Sequence, residues 1–364
     1  MVTSGVNNYV RGVSNVLSPG GVRYCAQNGP ANERIPAVAT IGLSAALEQF
    51  HPNELLEHCK LAECYGFRGV MAADHFQPWV PAQGHNAFAY SWMGALGAVT
   101  GHSFGPGVTC PSFRTHPAVI AQAAATLGAM FPGRFWLGLG SGELLNENVV
   151  AGEWPDPLIR FEMLQEATEI IQRLLSGKET RYRGRYFQMN KVRLWTLPEQ
   201  PVPIYIAATG PQTLKWAGKT CDGLITPGAS HEKLRGILDN FAAGAREAGK
   251  DPAKMPKLLQ LHISWAETYE EALQNALVEW PNGGMNFPKQ DIRSPEDFAA
   301  MARLVRPENF TGRVLISPDL EEHRAHLQGF LDLGFDAIYV HNVGRNQEAW
   351  LRAFGEQVLP RLRV

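Results

Sequence analysis

Apolar runs of seven to nine residues alternate with longer amphipathic stretches from residue 38 onward. Short runs rich in Val, Ile, Leu and Phe predict strands at 38–45, 68–74, 104–110, 134–142, 203–209, 222–228, 258–266 and 334–342. Between them, apolar positions three and four residues apart predict helices at 53–65, 90–99, 117–130, 159–175, from near Gln212, 231–248, 269–279 and 347–362. The segment TRYRGRYFQMNKVRLW, with Gly184 at its centre, reads as a hairpin excursion. Clusters of Gly, Pro and Asn over about 281–312 read as a lid or insertion with its own helix. Residues 1–35, rich in Gly, Asn, Ser and Val, read as an N-terminal extension ahead of a single domain over 36–364.

Strict strand–helix alternation implies a parallel sheet covered by helices, which a doubly wound sheet and a barrel both satisfy. Eight units favour the α/β class closed as a (β/α)8 TIM barrel, because closure removes two exposed sheet edges.

Charge then narrows the partners. With 33 basic and 35 acidic residues the formal net charge is −2, too balanced for a nucleic-acid binder that relies on an overall positive field. A local basic pocket for an anionic ligand is still compatible with it. No run of eighteen apolar residues is present, so no membrane helix is expected. The five cysteines have no CxxC pair and fit neither a zinc site nor a disulfide framework, and the first 35 residues lack the apolar centre of a signal peptide. A cytoplasmic protein with reduced thiols and no metal is the expectation.

Barrel enzymes build their sites at the C-terminal ends of the strands. There the sequence places Glu48, then Asp74-His75 with Trp79, then Gly107-Val108, then Ser141-Gly142-Glu143 with Asn146, then Ala207-Ala208-Thr209-Gly210. Histidine takes a proton near neutral pH, so His75 is a candidate base for a substrate hydroxyl. Alone, it is equally explained by a hydrogen bond to a neighbouring loop; the carboxylates and indole beside it tip the balance. Glu48 and Glu143 become tunable acids when buried, and Trp79 offers an N–H donor and an aromatic wall. The GLGSGE run lacks the third glycine of a dinucleotide fingerprint, and ATGPQ opens a helix whose N–H groups suit a phosphate or make an ordinary tight turn.

ALEQF, DHFQPW, TCPSFRTHPAVIAQA, GLGSGELLNE, YIAATGP and DGLI occur in order and at spacings that resemble the F420-dependent glucose-6-phosphate dehydrogenases. Their relatives, the F420-dependent secondary-alcohol and hydroxymycolate dehydrogenases, carry similar signatures. The resemblance covers about residues 36–362. It implies a luciferase-like barrel, usually a homodimer, with coenzyme F420 across the strand ends. By that resemblance His75 would deprotonate the carbinol oxygen, Trp79 would hydrogen-bond it, Glu143 would serve N1 of the deazaflavin, and Glu48 would orient His75. Asp74, Ser141, Gly142, Asn146, Ala207, Ala208, Thr209 and Gly210 would hold the cofactor, with a non-proline cis peptide at Gly107-Val108 behind the ring.

One departure bears on the substrate. In the glucose-6-phosphate enzymes the loop after the sixth strand carries a Thr and a Lys that grip the phosphate; here Pro227 and Ser230 fall there. Losing one charge-assisted partner costs roughly 1.5–3 kcal/mol. Lys289 and Arg313 match the other two phosphate-binding cations. A free sugar or another alcohol therefore fits the loop better, with a secondary-alcohol or hydroxymycolate dehydrogenase and, further off, an FMN-dependent monooxygenase as alternatives.

Overall fold

The structure is a computed structural model that describes residues 39–150 and 152–363; the expected N-terminal extension lies outside the described residues. Eight parallel strands form the barrel: β1 (Thr40–Ala45), β2 (Gly69–Ala72), β3 (Ser103–Pro106), β4 (Leu137–Leu139), and, after an excursion, β7 (Ile204–Ala207), β8 (Gly223–Pro227), β9 (Lys257–Ser264) and β11 (Ala337–Asn342). Their order is β3-β2-β1-β11-β9-β8-β7-β4, and the parallel bridges Phe104–Phe135 and Thr109–Leu139 join β3 to β4 and nearly close the ring. Such strands are apolar on both faces because helices cover one side and the barrel interior the other.

The excursion between β4 and β7 is the hairpin foreseen around Gly184, an antiparallel pair of β5 (Thr180–Arg183) and β6 (Gln188–Val192). A short strand, β10 (Leu315–Ile316), pairs with β9 outside the main path.

The helices are α1 (Pro52–Cys64), α2 (Ala89–Val99), α3 (Pro117–Met130), α4 (Leu144–Glu147), α5 (Pro157–Leu175), α6 (Pro211–Thr220), α7 (His231–Glu247), α8 (Tyr269–Glu279), α9 (Pro295–Ala302), α10 (Leu320–Leu331) and α11 (Gln347–Ala353). Proline is the first residue of α1, α3, α5, α6 and α9, where its missing N–H has no intrahelical partner to lose. Helices α6 and α7 cross with almost no room: a Cβ on Gly244 would sit 2.0 Å from the Lys215 carbonyl, and one on Gly218 would sit 2.2 Å from that of Phe241.

Several strands stop two to four residues before their expected ends, at Ala72, Pro106 and Leu139, and leave the residues that follow to the loops of the barrel mouth. The Gly107–Val108 peptide bond is cis, as expected. The final helix is regular only to Ala353 and continues as a π turn over Phe354–Val358 and a 3-10 turn over Leu359–Arg361. The insertion has the expected helix, α9. Together with turns Pro281–Gly284 and Pro307–Phe310 it packs Phe298, Val305 and Phe310 against Trp79, Val80, Leu145 and Trp280. The floor of the barrel is a separate cluster of Met71, Trp136, Tyr205, Ile225, Leu258 and Tyr339. No helix among the described residues is long and apolar enough to cross a membrane.

Candidate active site

The mouth brings His75, Glu48, Trp79 and Glu143 together. Glu48 follows β1 and His75 follows β2, and their side chains meet with Nδ1 to Oε1 at 3.0 Å, both largely enclosed. The contact is an ion-pair approach outside strict hydrogen-bond geometry, and a carboxylate that can only accept favours the proton on Nδ1 and the lone pair on Nε2. Among the described residues no hydrogen bond engages that Nε2. Burial by itself would raise Glu48 and lower His75, but their mutual attraction and hydrogen bond win: Glu48 is held below the usual carboxylate value and His75 above the usual imidazole value.

The indole of Trp79 meets the His75 ring edge-on at 5.1 Å, and its buried Nε1 has no protein partner. The Oε2 atoms of Glu48 and Glu143 are also buried without partners. Burial pushes Glu143 up, against the pull of His75 and Lys289. Buried polar atoms are normally satisfied, and four around one mouth, His75 Nδ1 included, lie outside hydrogen-bond geometry with any protein group, which marks where a polar ligand docks. That donor and acceptor set fits a ring system that needs both kinds of partner, and a substrate hydroxyl beside it. Among the described residues no cluster of potential metal ligands occurs.

The residues expected to hold a cofactor fall on the same rim. Asp74 is buried, accepts from Thr109 Oγ1 at 2.6 Å and faces Arg114, whose Nη2 also donates to the Asp74 carbonyl at 2.9 Å. Asn146 Oδ1 accepts from the backbone N–H of Phe76 at 2.9 Å and of Gln77 at 3.2 Å, which fixes the loop that presents His75. Gly142 has a φ of +78° and packs so tightly that a Cβ would lie 2.6 Å from Cys110 Sγ, whereas one on Gly210 would meet nothing. Gly210 is the N-cap of α6, Ala207 ends β7, and Ser141 and Thr209 are exposed at the rim.

The proposed phosphate contacts are less uniform. Lys289 lies close enough to Glu143 and Arg313 to feel both charges; burial and Arg313 lower it, and its Nζ donates to the Asn282 carbonyl at 2.7 Å. Arg313 is exposed and bonded to the Met285 carbonyl and Asn286 Oδ1. Ser230 is the N-cap of α7, its hydroxyl accepting from the Lys233 N–H at 3.4 Å.

Sequence reasoning passed over several residues of the mouth. Arg114, inside the TCPSFRTHPAVIAQA run, bridges Asp74 and Glu147, with Nε 3.2 Å from Glu147 Oε1. Stripping one partner from such a buried cluster costs about 3–5 kcal/mol. Gln49, His262, Trp280 and His341 form a second polar layer. The visible signal was a polar side chain at alternate positions of otherwise apolar strands, Gln260 and His262 on β9 and His341 on β11.

The family profile described as luciferase-like monooxygenase matches residues 34–337. Fold and profile together place the chain in the luciferase-like family. An F420-dependent glucose-6-phosphate dehydrogenase from Microbacterium testaceum is 39% identical over 328 residues, covering 88% of this chain and 97% of its own. One of the same name from Nakamurella multipartita is 36% identical, covering 90% of this chain and 98% of its own. Within the luciferase-like proteins, the chain belongs to the F420-dependent glucose-6-phosphate dehydrogenase family. A solved F420-dependent secondary alcohol dehydrogenase, in complex with an F420-acetone adduct, superposes with a TM-score of 0.85 at 33% identity, covering 90% of this chain and all of its own. An F420-dependent tetrahydromethanopterin reductase from Methanopyrus kandleri shares the fold, with a TM-score of 0.74 at 20% identity.

Proposed function

We propose that the protein is an F420-dependent dehydrogenase that oxidises a sugar at its carbinol carbon. The observation that carries this reading is the pairing of His75 Nδ1 with Glu48 at 3.0 Å, beside the unpartnered Trp79 Nε1. Bound coenzyme F420 supplies a two-electron acceptor for the hydride of that carbon. Asp74, Ser141, Gly142, Asn146 and the Ala207–Gly210 segment would hold it, together with Gly107 and Val108.

His75 Nε2 takes the hydroxyl proton, and Glu48 steadies the imidazolium that forms. Trp79 Nε1 donates to the carbinol oxygen as that proton leaves, and Glu143 holds a proton at the rim where negative charge would otherwise accumulate. The dry aromatic wall around them strengthens each of these contacts.

Pro227 and Ser230, the latter committed to capping α7, favour a free sugar over its phosphate. Lys289 and Arg313 are the groups that would bind a phosphate if it is the substrate. A secondary alcohol is the second reading, supported by the 33% identical alcohol dehydrogenase.

The test is loss of the oxidised F420 absorbance with glucose, with glucose-6-phosphate and with secondary alcohols. Bleaching by a sugar is expected, and His75→Ala should lower that turnover by about a hundredfold or more while F420 still binds. Bleaching by secondary alcohols alone would replace the sugar reading, and unchanged turnover in the variant would remove His75 from the chemistry.

We further propose a homodimer in the cytoplasm, where the buried free thiols of Cys59, Cys110 and Cys221 would stay reduced.

A further inference from the structure

Beneath the catalytic pair lies a chain of hydrogen bonds whose direction can be read from its far end. Glu279, paired with Arg345 at 2.7 Å, offers Oε2 to Gln49 Nε2 at 3.0 Å, and the Val343 carbonyl accepts from the same Nε2 at 2.7 Å. Neither partner can donate, so the amide orientation of Gln49 is fixed and its Oε1 is an acceptor. That oxygen lies 3.2 Å from His341 Nε2, which must carry a proton.

A neutral His341 then has a bare Nδ1. It lies 3.0 Å from His262 Nδ1, so the second ring donates from Nδ1 and its Nε2 is the bare acceptor. Both rings stay neutral: burial holds His341 down at about 4, and burial above all, with the Lys289 charge nearby, holds His262 well below its usual value.

His262 is an inward-facing residue near the C-terminal end of β9, yet it is partly accessible, and no hydrogen bond among the described residues engages its Nε2. Its ring stacks on Trp280 at 4.4 Å, Trp280 meets Trp79 at 5.9 Å, and Trp79 meets His75 at 5.1 Å. The four rings make one continuous wall with His75 at one end and His262 at the other.

The geometry points to His262 as a substrate-binding residue whose Nε2 accepts a hydrogen bond from a second hydroxyl of the substrate, away from the carbinol being oxidised. A substrate with a single hydroxyl cannot use that acceptor, whereas a sugar can. The inference rests on the sugar reading above and extends it, since it assigns the discrimination between a polyol and a simple alcohol to one atom. A site built to bond a hydroxyl rejects the analogue that lacks it far more strongly than an apolar pocket does.

The test compares wild type, His262→Phe and His262→Gln, each with F420, on glucose and the series of its monodeoxy analogues. Phe keeps the stack on Trp280 and loses the acceptor. Gln retains a donor for His341 Nδ1 and an acceptor for substrate. F420 binding, read by its fluorescence, should be the same in all three.

In wild type, kcat/KM should fall about tenfold or more for one analogue relative to glucose. His262→Phe should lose about the same factor on glucose and nothing further on that analogue, while His262→Gln keeps the wild-type ranking. If His262→Phe keeps the wild-type ranking across the series, the inference is overturned and the sugar reading stands. Loss of that ranking in His262→Gln overturns it as well, which keeps the test decisive where the Phe variant fails to fold. If wild type bleaches F420 with secondary alcohols and with no sugar, both fall together.

Discussion

The two nitrogens of His75 face different tasks, one toward Glu48 and one toward the open mouth. As the proposed base it must be neutral, and its value in the folded protein is raised by Glu48 against the effect of burial. In the free enzyme kcat/KM should therefore climb with pH along a limb centred above the ordinary histidine value of 6.5. Glu48→Gln keeps the shape but removes the charge that raises His75, so the limb should move to lower pH even as maximal turnover drops. A limb that stays where it was in the pH–rate profile would mean that Glu48 does not set the protonation of His75.

Among the secondary-structure elements, the insertion from Pro281 to Val314 closes one side of the mouth. It contributes Lys289, held to the Asn282 carbonyl and close to Glu143. If the cavity accepts a phosphorylated sugar, Lys289→Ala should raise KM for glucose-6-phosphate by about tenfold to a hundredfold, the equivalent of roughly 1.5–3 kcal/mol. KM for glucose should change by no more than about twofold. Equal responses to the two sugars in steady-state assays would strip Lys289 of that role.

The eight barrel strands and the hairpin around Gly184 were legible because period and turn chemistry agree there. Helix α10 and strand β10 were not: β10 is two residues long, and a pattern of two residues carries no period. The start of α10 was encoded all the same, in Asp319 capping the Glu321 N–H at 2.8 Å.

For the whole molecule, the expected dimer gives a direct reading: light scattering on the purified protein should return about twice the 40.1 kDa chain mass. A mass equal to one chain would leave each barrel to complete its site by itself. The candidate site was legible at Glu48, His75, Trp79 and Glu143 because strand ends converge in a barrel whatever loops follow. Arg114, Gln49 and the hydrogen-bonded pair His262 and His341 were not, since their importance lies in partners more than thirty residues away in sequence, as between Arg114 and Asp74. What sequence spacing cannot supply is the direction of a hydrogen bond.

Trp79 belongs at once to the proposed reacting centre and to the apolar cluster of the insertion, where its ring meets Phe298 at 5.2 Å and Trp280 at 5.9 Å. The segment that shapes the substrate's surroundings is therefore not an interchangeable cassette. Transplanting it from a relative would reseat the indole proposed to contact the reacting oxygen, so new specificity by grafting should come with compensating changes at the roots of Trp79.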